Sequence, residues 1–179
     1  MATNENAVAL LKADHRKVEG LFESFEKART EDRKKALVTQ ICTELMVHST
    51  IEEEIFYPAC KGKIEDGELL DEAYVEHDGA KVLIAELLQG SPSHEFYDAK
   101  VKVLSELIKH HVKEEEMRSE GLFAEARDAG VDLDDLGGRL KARKAQLLAK
   151  FKEAGKLPPP QTRSFTGHKL SQSEPVMGQ

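Results

Sequence analysis

The chain has 179 residues, 33% of them charged and 40% hydrophobic, with a formal net charge of −7. This length suits one domain with a tail, and the acidic balance excludes the basic face of a nucleic-acid binder or of an anionic-membrane binder. No apolar run approaches the ~20 residues of a transmembrane helix, and Met1 to Asn6 is too polar for a secretory signal. The expectation is a cytoplasmic protein, monomer or homodimer, acting on small partners or metal cations without nucleic acid or membrane.

From Asn6 to Arg29 the apolar residues Val8, Leu11, Val18, Phe22 and Phe25 recur at helical spacing, and His15 fills the missing place in that stripe. A buried imidazole without a partner costs on the order of a few kcal/mol, so His15 is either a core histidine bonded to a neighbour or a ligand. The charged break Arg29-Thr30-Glu31-Asp32-Arg33 leads into a second helix with the stripe Leu37, Ile41, Leu45, His48, Glu52, Ile55. An ionised glutamate in such a seam protonates or finds a cation. Pro58 signals a bend or an end, and Lys61-Gly62-Lys63 with Asp66-Gly67 makes the loop. Cys42 and Cys60 fall on this same helix too far apart to pair within one chain, and read as two core or surface thiols.

The third helix, Glu68 to Gln89, carries Leu70, Ala73, His77, Ala80, Ile84 and Leu87 on one stripe, again with a histidine in the seam. Gly90-Ser91-Pro92 breaks the chain, with Ser91 as the expected N-cap and Pro92 as the first residue of a fourth helix. The stripe there is Tyr97, Val101, Leu104, Ile108, His111, Glu115, with Leu122 two turns on. A second register is open, in which His110 and Glu114 share a stripe with Val103, Leu107 and Met117. The first extends further, whereas the second meets Lys100 and Gly121.

A fifth amphipathic segment, Asp132 to Ala154, has Leu133, Leu136, Leu140, Leu147 and Phe151 with a Gly137-Gly138 interruption. It is expected to pack across the bundle or against a second copy. Residues 157–179, beginning Leu157-Pro158-Pro159-Pro160, show no period and read as a mobile tail. His168 within it and His94 are expected to face solvent. The organisation is thus residues 1–130 as a helical bundle, 131–156 as a C-terminal helix and 157–179 as a tail.

His15, His48, His77 and His111 stand 33, 29 and 34 residues apart, each interval close to one helix plus a short loop. That is the signature of an all-α, antiparallel up-down-up-down four-helix bundle, here with an additional C-terminal amphipathic helix. Positions a full hairpin apart return to similar depth, so these four histidines with Glu52 and Glu115 can converge at one level. Imidazoles alone offset two buried carboxylates poorly, whereas two divalent cations both neutralise and bind them. The donor set suits iron, with zinc and manganese as competitors.

These segments, Leu11 through His15, His48 through Pro58, Glu76-His77-Asp78 and His110 through Glu116, resemble the hemerythrin-like proteins with the HHE cation-binding domain. The order is a lone His, a His-x-x-x-Glu, a lone His and a second His-x-x-x-Glu, and it spans roughly residues 5–128. The Glu-x-x-His pairs of ferritin-like bundles are not found here. The resemblance implies a non-heme di-iron centre with an oxo or hydroxo bridge. His15, His48, His77 and His111 would be terminal ligands, with Glu52 and Glu115 bridging. It favours His111 over His110 because an apolar residue, Val112, follows directly.

One departure stands out. Oxygen-carrying hemerythrins have another histidine one turn before the third-helix ligand, where this chain has Ala73, and Lys81 rather than His lies one turn after His77. Six protein ligands leave an open position, which favours chemistry at the metal over reversible carriage. Lys81 is expected to snorkel to solvent, the alternative being a hydrogen bond to a bound oxygen species. Three classes follow: a di-iron protein that binds or consumes O2, peroxide or nitric oxide in sensing, detoxification or iron handling; an iron donor; and a structural bundle with a closed, inert metal site.

Overall fold

The computed structural model describes residues 6–163. Its elements are α1 (Ala7–Lys27), α2 (Glu31–Ile51), a single π-helical turn (Glu52–Phe56) running directly into α3 (Tyr57–Cys60), α4 (Glu68–Gln89), α5 (Tyr97–Glu116), α6 (Leu122–Asp128) and α7 (Leu133–Ala154). Helices α1, α2, α4 and α5 form the antiparallel four-helix bundle, each packed on its two neighbours in the ring, and α7 lies along α1 and α2. No helix is long and apolar enough to cross a membrane among the described residues.

Local chemistry sets the helix ends. Asn6 accepts from the Ala9 amide at 2.9 Å, Thr30 from Arg33 at 3.3 Å and Asp132 from Asp135 at 3.0 Å, each satisfying an orphan N–H of a first turn. α7 closes on Gly155 with φ 66°, a left-handed cap that glycine adopts without strain, and the helix runs uninterrupted through Gly137 and Gly138.

One sequence expectation holds here and three change. Pro58 marks the irregularity and the nearby end expected of it: the widened turn before it, in which the Tyr57 amide bonds to Glu52, lets the chain pass a residue that has no N–H, and the helix then stops at Cys60. That turn also rotates the stripe, so Phe56 and Tyr57 are buried where Ile55 was expected. Ser91 caps a turn rather than a helix. Its carbonyl accepts from His94 at 2.9 Å, and α5 begins only at Tyr97, whose buried ring anchors the start. Finally, α5 stops at Glu116, and Leu122 belongs to the separate α6. Gly121 makes that corner, since a Cβ there would stand 2.6 Å from the Met117 backbone N and O.

The apolar interior is split in two. One cluster gathers Leu11, Phe56, Tyr57, Leu122, Phe123 and Leu140 among others; the second gathers Val18, Phe22, Leu37, Ile41, Ile84 and Leu104. Between them lies a layer of buried polar side chains that includes Asp14, His15, His48, Glu52, His77, His111 and Glu115. Beyond α7 the described chain reaches α4 at Arg163. There the Arg163 amide donates to Asp78 Oδ2 at 2.8 Å, and its guanidinium lies 4.7 Å from the centre of the Tyr74 ring. The remainder of the segment read as a tail, with His168, lies outside the described residues, and His94 is exposed.

Candidate metal centre

The polar layer is built from one histidine of each bundle helix. His15 Nε2 and His48 Nε2 face each other at 3.1 Å, and so do His77 Nε2 and His111 Nε2. Two carboxylates straddle these pairs. Glu52 turns Oε1 to His48 at 3.2 Å and Oε2 to His77 at 3.3 Å, and Glu115 turns Oε2 to His15 at 3.4 Å and Oε1 to His111 at 3.5 Å. The six residues therefore form two overlapping donor groups, His15-His48-Glu52-Glu115 and Glu52-His77-His111. His110 and Glu114, the other register, point outward, with His110 60% exposed.

The opposite nitrogens explain why the rings face inward. His15 Nδ1 lies 2.7 Å from Glu116, His77 Nδ1 3.0 Å from Glu53 and His111 Nδ1 2.7 Å from Glu76, while His48 Nδ1 stands 3.5 Å from Asp14. A carboxylate at Nδ1 keeps the proton there and leaves the Nε2 lone pair for a cation. Each of these carboxylates comes from a different helix than the histidine it holds, so the four helices are tied in a closed ring. Sequence reasoning did not single them out, although each is the chain neighbour of one of the six: Asp14 of His15, Glu53 of Glu52, Glu76 of His77 and Glu116 of Glu115.

Tyr57 is the other residue that the motif reading missed. Its single O–H is shared between Glu115 Oε1 at 3.0 Å and Glu52 Oε2 at 3.3 Å, and the oxygen lies 3.4 Å from His77 Nε2. Burial, with Glu115 and Glu52 beside it, holds its phenol well above the ordinary value. Lys81, expected at the surface, is instead buried. Its ammonium bonds Glu53 at 2.6 Å, and Arg163 reaches the other oxygen of Glu53 at 2.8 Å.

The donor set fits metal on three observations. Glu52 Oε1 and Glu115 Oε2 are buried and accept no hydrogen bond, which is costly unless a cation takes the lone pair. Nitrogens 3.1 Å apart suit adjacent ligands on one ion, since two donors each ~2.1 Å from a metal stand about 3 Å apart. The carboxylates also draw positive charge. Burial disfavours the His48 imidazolium, yet Glu52, Asp14 and Glu115 outweigh it and push His48 up to about 10; His77 is likewise raised, against its burial, by Glu52 and Glu53. Glu52, although burial opposes its charge, is held well below the carboxylate range by His48 and His77.

The model of the hemerythrin HHE cation binding domain matches residues 6–126. The chain belongs to this family. This hemerythrin-family chain is also 28% identical over 123 residues to a protein named DNA nickase from Nostoc sp. (strain PCC 7120), across 69% of its own length but only 34% of that protein's. It thus spans about a third of that relative. It superposes with a TM-score of 0.68 on the crystal structure of a hemerythrin HHE cation binding domain-containing protein from Mycobacterium kansasii. Identity there is 25%, over 84% of this chain and 94% of the other. The metal-binding, hemerythrin-like character of the bundle follows from the family match and the clustered His and Glu donors.

Proposed function

We propose that His15, His48, Glu52, His77, His111 and Glu115 hold two iron ions, with both glutamates bridging, and that the centre binds or consumes O2, peroxide or nitric oxide. Such ions, when bound, supply redox equivalents and Lewis acidity. The observation that carries the reading is the pocket on the far side of the centre from Tyr57. It is floored by the four histidines and walled by Val18, Leu45, Ala80, Ile84 and Ile108, with a volume of ≈ 20 Å³. That holds about one water-sized molecule, whereas organic substrates occupy pockets of roughly 300 Å³ or more. An inorganic molecule of two to four atoms is what fits.

The chain's own residues divide the work. The apolar walls exclude bulk water and larger reductants. The Nδ1 carboxylates fix the imidazoles, and Tyr57 orients both bridging glutamates from beneath while offering an O–H in a site otherwise rich in acceptors. Lys81 lines the pocket but is committed to Glu53, so its role is to neutralise the carboxylate behind His77.

The test is metal content by mass spectrometry on protein purified without added metal, with absorption spectra recorded anaerobically and then after air, peroxide or nitric oxide. Two irons per chain and a ligand-dependent charge-transfer band are expected. A single tight zinc with an unchanging spectrum would overturn the reading in favour of a closed structural site.

A further inference from the structure

The helix α5 carries the His-x-x-x-Glu pattern twice in adjacent registers, and the centre uses only one of them. The other copy, His110 and Glu114, converges with Glu76 of α4 at the surface. His110 Nε2 lies 3.3 Å from Glu76 Oε1 and 3.2 Å from Glu114 Oε1, and one ligand atom from each residue falls within 4.8 Å of the others. This is a mixed imidazole–carboxylate set with solvent on its open side, the donor chemistry of a divalent transition ion.

Two further features connect it with the interior. Glu76 is shared, because its Oε2 accepts from His111 Nδ1 at 2.7 Å while Oε1 faces His110. A small cleft of ≈ 10 Å³, lined by Glu76, Glu114, Ala73, His111 and Glu115, also lies between the two sets. Glu115, which lines it, is 2% exposed and belongs to the buried donor set. The small side chain of Ala73 is what leaves the cleft open.

We propose that Glu76, His110 and Glu114 form an outer site for a divalent cation, ferrous iron in the first place, from which metal passes along the Ala73 cleft to the buried centre. The site captures a hydrated ion from solution, and the next donors inward are His111 and Glu115. The transfer role rests on the buried centre proposed above; capture at the surface does not.

The experiment is anaerobic stopped-flow uptake of Fe²⁺ by metal-free protein, with final iron content measured separately, in wild type, His110→Ala, Glu114→Gln and a control, Glu106→Gln. Glu106 is exposed on the same helix and removes equal charge without touching the site. In addition, Mn²⁺ binding to the iron-loaded protein is followed by electron paramagnetic resonance. Uptake is expected to slow on the order of tenfold in His110→Ala and Glu114→Gln. It should stay unchanged in Glu106→Gln, with the same final iron in all four. One Mn²⁺ should bind the loaded wild type and be lost in His110→Ala. Equal uptake rates, equal slowing in Glu106→Gln, or a lower final iron content in His110→Ala would each overturn the proposal. If wild type fills no buried site yet binds Mn²⁺ in a His110-dependent way, the outer site stands and the di-iron reading fails.

Discussion

Three histidines of the layer hydrogen-bond a carboxylate from another helix through Nδ1 while His48 Nδ1 stands 3.5 Å from Asp14, and the strength of that support differs with burial. Glu116 holds His15 Nδ1 at 2.7 Å and also takes Arg16 at 2.7 Å, but the arginine side chain is 56% exposed. An exposed pair contributes about 0–1 kcal/mol, whereas loss of the carboxylate behind a metal-binding histidine typically costs 10–100-fold in affinity. Glu116→Ala should therefore weaken metal retention against a chelator by roughly tenfold or more, and Arg16→Ala should leave it unchanged. Equal retention in Glu116→Ala and wild type would mean that the ring orientation is set by packing alone. Glu52→Ala is the harsher change, since it removes both carboxylate oxygens that face the buried His48 and His77. Loss of metal and a lower melting temperature are expected, and full metal occupancy in that variant would refute its place in the centre.

The elements decide how those residues meet, and two of them depart from regular geometry. In an ordinary α-helix residues five apart diverge, but in the π-helical turn, bonded i to i+5, Glu52 and Tyr57 come to the same side, close enough for the 3.3 Å hydrogen bond. This is why the bundle, the four histidines and the two i,i+4 glutamates could be read from a 3.6-residue period while Tyr57 could not: the period itself changes just before it. The ring of Nδ1 carboxylates was hidden for a different reason, since Glu53, Glu76 and Glu116 sit at chain positions that look like solvated charge, and only the crossing of helices shows that each serves a neighbour's histidine. The start of α5 was misplaced because Ser91-Pro92 fits a helix cap and a turn equally well, and the buried Tyr97 decides between them. At the second irregular place, the corner between α5 and α6, Gly121→Ala would push a Cβ to 2.6 Å from the Met117 backbone, which cannot yield as a flexible side chain would. A loss of about 1–3 kcal/mol is expected in denaturant unfolding. The ring of Phe123, carried by α6 and stacked 5.9 Å from His15, makes metal retention a second readout of that corner.

At the scale of the whole molecule the polar layer is shared by two apolar cores, and each core holds one free cysteine: Cys60 in the cluster with Phe56 and Leu122, Cys42 in the cluster with Ile41 and Leu104. Burial pushes both thiols up to about 12. The reactive species is the thiolate, so the sign is clear: a raised value means less thiolate at a given pH, on the order of one part in ten thousand at pH 8, against a substantial fraction for an exposed cysteine near 8.5. Native, metal-loaded protein should consequently be inert to a thiol reagent at pH 8 and release two equivalents only in denaturant. Metal removal then separates two pictures of stability. If the layer couples the cores, stripping the metal leaves buried like charges and protonated imidazoles between them, and both cysteines should gain reactivity together, at one rate and with a lowered melting temperature. If the cores are stabilised independently, one thiol should react well before the other, and mass spectrometry of the singly labelled species would show which half of the bundle opens first. Because every bundle helix contributes both a histidine and a carboxylate to the layer, the coupled outcome is the expected one.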